Sequence, residues 1–134
     1  MEIPPAEIID RMTIAQLKIE RLGERHVWKE YDSYRKAIED FVLKKVVIKQ
    51  DWIDELYEAN RKIWDVEAGV RVLAHKIFEE GDENPEDVEV LKEIGMRFIK
   101  VGALMKERDK IKNKIFHETG EGFEEIKVNH SAAE

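Results

Sequence analysis

The chain has 134 residues with a formal net charge of -7, no cysteine, 40% charged and 8% aromatic residues, 3 Pro and 7 Gly. A domain of this length buries a core without staples, and the absence of cysteine removes disulfide scaffolds, thiol nucleophiles and thiolate metal sites, fitting a reducing compartment, the cytoplasm. The acidic balance argues against general nucleic-acid binding, which draws on clustered Lys and Arg, and no apolar run approaches the roughly 20 residues of a membrane span.

Met1 to Pro5 shows neither the basic start nor the apolar stretch of an export leader. Pro5 opens the first helix at a position where a missing N–H costs nothing, and Glu7 follows in the first turn against the positive end of the dipole. The seam Ile8, Met12, Ala15, Ile19 and Leu22 carries this helix to Leu22, and the adjoining line of Glu7, Arg11, Ile14, Lys18 and Arg21 gives it a cationic flank. Gly23 stops it, being able to take the left-handed conformation past a helix end. A second helix follows on the seam Val27, Tyr31, Tyr34, Ile38 and Phe41, and the β-branched run Val46, Val47 and Ile48 reads as a packed connector.

A long central helix is expected from Asp51, as its cap, to about residue 80, and the rest of the chain is expected to be organised around it. Its seam is Trp52, Leu56, Ala59, Ile63, Val66, Val70, Leu73 and Ile77, at steps of four and three. The neighbouring line of Ile53, Tyr57, Asn60, Trp64, Glu67, Arg71, Ala74 and Phe78 is apolar at both ends and polar in its middle. Gly81 ends the helix, and Asn84, Pro85, Glu86 and Asp87 make a start signal for a last helix running to about Thr119. That helix carries the stripe Val90, Ile94, Val101, Leu104, Ile111 and Ile115, and beside it Gly95, Phe98, Gly102 and Met105. Glycines seven apart on one face lower helix propensity, and their use is to let another helix approach closely.

These patterns predict an all-α fold: a single-domain bundle of about four helices over residues 1–119, with 120–134 as a mobile C-terminal tail. A central helix apolar along more than one line, and the small-residue face of the last helix, predict self-association as a homodimer.

No motif names a reaction. The seam residues, Trp52 and Trp64 among them, read as core, whereas Asn60, Trp64, Glu67 and Arg71 on the central helix and Arg11 and Lys18 on the first form a candidate ligand-binding cluster. Arg97, Arg108 and Asp109 lie beside the last seam. Antiparallel packing of the first and central helices would bring a carboxylate and several cations into one cleft suited to a small anionic ligand. The competing structural reading makes Glu67 and Arg71 an i,i+4 ion pair on a solvated face, with little energetic weight.

Asp54, Glu55 and Glu58 place three acids within five residues, as in the helical Mg²⁺ sites of nucleotide pyrophosphohydrolases. Glu55 and Glu58 would supply the first Glu-x-x-Glu of that alternative enzymatic reading, but Glu7 to Asp10, the matching Glu-x-x-Asp, lies upstream rather than downstream. Chorismate mutases also line helical pockets with Arg, Lys and Glu, and the spacing here does not single them out. His26, His75, His117 and His130 are scattered without metal-ligand spacing, and no P-loop or nucleophile-elbow stretch is present, so no cofactor is expected beyond the Mg²⁺ alternative.

Three stretches resemble a family of small uncharacterised all-helical proteins of bacteria and phages. Glu7-Ile8-Ile9-Asp10-Arg11-Met12-Thr13-Ile14-Ala15-Gln16-Leu17-Lys18 is similar to its opening. Asn60, Ile63-Trp64-Asp65-Val66-Glu67 and Arg71 are similar to its middle, and Arg108-Asp109-Lys110-Ile111-Lys112-Asn113-Lys114-Ile115 to its charged closing helix. The resemblance covers roughly residues 6 to 116 and implies a short all-helical domain without catalytic residues to carry over. Ala68 and Gly69 depart from it, standing where the family tends to be acidic.

Overall fold

The computed structural model describes residues 3–78 and 88–120, with the backbone alone for 76–78. Four helices follow one another: α1 (Pro5–Leu22), α2 (Val27–Leu43), α3 (Gln50–Phe78) and α4 (Val88–Thr119). They form an all-α bundle with no strand among the described residues, and none of them is long and apolar enough to cross a membrane. The expected stop at Gly81, the start at 84–87 and all of the tail except Gly120 lie outside the described residues.

Local chemistry sets most of the boundaries. Pro5 stands in the first turn of α1, and the Pro4 carbonyl accepts the N–H groups of Glu7 and Ile8, both at 3.1 Å. Gly23 ends α1 in the left-handed region with φ of 63°, its N–H on the Ile19 carbonyl at 3.1 Å. The end of α2 has the same geometry without glycine. Lys45 sits at φ 67°, its N–H on the Val42 carbonyl at 3.0 Å, and the Val46 N–H returns to the Phe41 carbonyl at 2.9 Å. The run from Val46 to Ile48 is a connector as expected, with Ile48 packed on the core and Val47 exposed. At the start of α3 the cap moves: the Trp52 N–H bonds the Lys49 carbonyl at 3.1 Å, so Asp51 lies within the first turn instead of capping it.

The hub of the bundle is α1, not the central helix. It packs against all three other helices, while the backbone of α2 approaches α1 alone. The reason is visible in its sequence. Beside the expected seam of Ile8, Met12 and Ala15, a second buried line runs Ala6, Asp10, Thr13 and Leu17, so α1 is wrapped on two sides.

The expected antiparallel packing of the first and central helices is also corrected: α1 and α3 are parallel, because their contacts advance together along both chains. Ala6 and Ile9 meet Trp52 and Leu56, Asp10 and Thr13 meet Asn60, and Arg21 reaches Asp65 at 2.7 Å. Short connections on either side of α2 impose two reversals of direction, which restores the first one. α4 runs back along α3, with Ile115 beside Trp52 and Leu56 at one end and Val101 beside Ile63 and Val66 further on. Beyond Leu22 no part of α1 remains, and α3 and α4 continue as a two-helix arm.

Candidate functional site

Where α1, α3 and α4 meet, the seams carry polar side chains that are buried and mutually bonded. Asn60 donates from Nδ2 to the Asp10 carboxylate at 2.8 Å and to Thr13 Oγ1 at 2.9 Å, and the Thr13 hydroxyl donates to the Asp10 carbonyl at 2.7 Å. From α4, Lys112 places Nζ 2.8 Å from Glu7 Oε2 and 3.6 Å from Asp10 Oδ2, though only 6% of this lysine is exposed. Burial raises the Glu7 pKa, but the hydrogen bonds and charges of Lys112 and Arg11 outweigh it and hold the carboxyl below its ordinary value.

Directly above this network the same three helices leave a cleft of about 560 Å³. Its apolar walls are Ile14 and Leu17 of α1, Ile63 of α3 and Met105 of α4, with Leu22 beside them. Its polar lining is Asn60, Trp64, Glu67 and Arg71 of α3 and Arg108 of α4. Steps of three and four set Asn60, Trp64, Glu67 and Arg71 in one row, and the row faces the cleft because the seam beside it, Ile63 and Val66, is packed against α4. The volume lies within the range of small-molecule sites.

Arg108 is the more buried of the two arginines that line the cleft. Its side chain is 19% exposed, its one ion pair among the described residues is with the adjacent Asp109 at 3.5 Å, and its Nε is buried without a hydrogen-bond partner among them. Such a donor is costly unless something accepts from it. Glu67 is half-buried and Arg71 exposed, and the i,i+4 ion pair expected between them does not form among the described residues. Both are therefore available to the cleft. Trp64, expected in the core with Trp52, is half-buried and presents its indole as a wall, whereas Trp52 is buried.

The other two members of the expected cluster are elsewhere. Arg11 turns away, its Nε 3.0 Å from Glu7 and its guanidinium toward Tyr34 of α2. Lys18 does not line the cleft either; α1 meets it with Ile14 and Leu17. The cause is the line of α1 turned to α3, Ala6, Asp10, Thr13 and Leu17, which leaves Arg11 and Lys18 outside and brings only Ile14 of the cationic flank to the cleft. Arg108 takes the place of these cations. Arg97 lies across Gly69, where a Cβ would collide with its guanidinium, and pairs with Glu93 at 2.9 Å.

Glu55 and Glu58, the candidate Mg²⁺ ligands, each face a cation: Glu55 meets Lys114 at 2.7 Å and Glu58 meets Arg61 at 2.7 Å. No group of three His, Asp or Glu able to hold a metal occurs among the described residues. Sequence reasoning missed Asp10, Thr13 and Lys112, although a signal existed. Each lies on a line at helical spacing that is apolar at both ends and polar in its middle, Ala6-Asp10-Thr13-Leu17 in α1 and Val101-Met105-Arg108-Lys112-Ile115 in α4.

The three stretches that carry the resemblance noted above are the three that meet at this network and cleft. No protein-family model, no curated protein and no solved structure matches the chain.

Proposed function

We propose that the protein is a helical binding module that holds a small organic anion in the cleft between α1, α3 and α4. The observation that carries this reading is Arg108 at the cleft wall, with its Nε buried and without a hydrogen-bond partner among the described residues, while Arg71 lines the same cleft from α3. A carboxylate or phosphate in the cleft would neutralise these two cations, and a planar guanidinium is suited to gripping such a group with two parallel bonds. Trp64 and the aliphatic walls would cover an apolar body, while Glu67 would select a ligand that also carries a donor, such as an amine or hydroxyl.

Thermal-shift screening of phosphorylated and carboxylated metabolites tests the reading. A ligand present at about 100 times its Kd should stabilise the wild type by about 2.7 kcal/mol, and should fail to stabilise Arg108→Gln or Arg71→Ala. No shift with any compound of a broad panel overturns it. The same panel, supplied with nucleoside triphosphates and Mg²⁺, covers the enzymatic alternative: release of pyrophosphate that is lost in Glu55→Gln or Glu58→Gln would replace the binding reading with that one.

A second reading is compatible with the first and has its own observation. Large apolar side chains are exposed along α4 in the arm, among them Phe98 at 64% and Ile99 at 76%. A helix face of this kind is what a self-associating module presents to its copy.

A further inference from the structure

The outward face of the α4 arm has an internal symmetry. Its seam is Val88, Leu91, Gly95, Phe98 and Gly102, at steps of three and four, with Ile99 alongside. The line of α4 that packs on α3, through Val101, lies about a quarter turn away, and this seam meets no helix among the described residues. A Cβ added at Gly95 or Gly102 would find nothing within 4 Å. The expected close approach of another helix to these glycines is thus not supplied by the described residues, although both glycines lower helix propensity where they stand.

Bumps and holes alternate along the seam. Leu91 and Phe98 project, seven residues apart, and Gly95 and Gly102 leave gaps with the same spacing. In an antiparallel pair of α4 helices whose two-fold axis passes between Met96 and Arg97, Phe98 of one copy lies over Gly95 of the other, and Leu91 over Gly102. Every bump then meets a hole. A parallel, in-register pair would set Phe98 on Phe98 and leave the glycines facing a void.

We infer that this face is a docking surface for a second copy of the chain, in which two α4 helices cross antiparallel with Phe98 and Leu91 seated on Gly95 and Gly102 of the opposite copy. The inference rests on the self-association reading above and adds its surface and register. The exposed parts of Val88, Leu91, Phe98 and Ile99 amount to on the order of 400 Å² per copy, the size of the largest apolar patches that functional monomers show. That is about half of the roughly 800 Å² per partner in a standard interface. The exposed glycine backbones and the aliphatic stems of Lys92 and Lys106 supply further area beside the seam.

Light scattering at tens of micromolar, on the full chain and three variants, tests it. The wild type should have about twice the mass of one chain. Gly95→Leu fills a hole in open space and Phe98→Glu charges a bump, so both should reduce the mass to that of one chain while far-UV circular dichroism stays helical. The double variant Gly95→Leu with Phe98→Ala exchanges bump and hole across the axis and should restore the doubled mass. A monomeric wild type overturns both the inference and the self-association reading, and leaves the face to a different partner. A dimeric wild type that Gly95→Leu and Phe98→Glu leave dimeric overturns the inference alone, placing the interface elsewhere. Loss in both single variants without rescue in the double variant overturns the antiparallel register.

Discussion

The two ends of the α3–α4 pair obey the same spacing rules and have opposite surfaces. Where α1 lies over them, a polar second line is buried and bonded, as in Asn60 with Asp10 and Thr13, and Lys112 with Glu7. Where α1 has ended, the second line is apolar and exposed, as in Phe98 and Ile99. A buried polar group needs a partner, and a third helix can supply one; an exposed apolar face needs none to stay folded but invites association. The covered end is thus built for uniqueness of packing, and the arm for contact with something else.

The largest expected effect is at the covered end. Lys112→Ala leaves Glu7 and Asp10 facing each other without their shared cation, and should cost about 3 kcal/mol in urea unfolding, since removing one partner of a buried ion pair strands the other. Asn60→Ala removes the buried amide donor that Asp10 Oδ1 and Thr13 Oγ1 share and should cost about 2 kcal/mol. A loss below about 0.5 kcal/mol in either would show that the network is no more than a solvated surface.

Acid should act on the same end. The folded pKa of Glu7 lies below its ordinary value, so near and below that value the unfolded state binds more protons than the folded one. Its stabilisation is therefore complete above the ordinary carboxylate value and is lost as pH falls through the lower folded one. Urea midpoints measured from pH 6 down to about pH 3 should decline, and Lys112→Ala should flatten the decline.

Smaller effects separate the regions further. Gly95→Ala, measured at concentrations too low for association, should stabilise the arm by about 0.5–1 kcal/mol, because the added methyl meets nothing and helix propensity rises. Lys45→Gly should be stabilising to a similar or smaller degree by relieving a left-handed residue at the end of α2. Glu67→Ala should change stability by no more than about 0.5 kcal/mol, since Glu67 pairs with no cation among the described residues; a loss of several times that would make it structural and weaken its assignment to the cleft.

How much of this was legible beforehand follows from the range of each interaction. Four helices, the stop at Gly23, the Pro5 start and the row from Asn60 to Arg71 follow from neighbours within a few residues, where backbone geometry alone sets which side chains share a face. The polar interruptions at Asp10, Thr13 and Lys112 were visible as residues but not as a network, because their partners on other helices lie 47 to 105 positions away.

The sequence by itself determined the helical class and which residues form each face, since periodicity at 3.6 residues per turn is a local property of the chain. Only the tertiary structure decided which face each helix turns to which neighbour. Turning the line Ala6, Asp10, Thr13 and Leu17 of α1 to α3 left Arg108, rather than Arg11 and Lys18, at the cleft, and ending α1 at Leu22 left the seam of Phe98 exposed. The physical reason is that several faces of these helices are apolar enough to bury, and the choice among them is made by the direction and reach of the helix packed alongside.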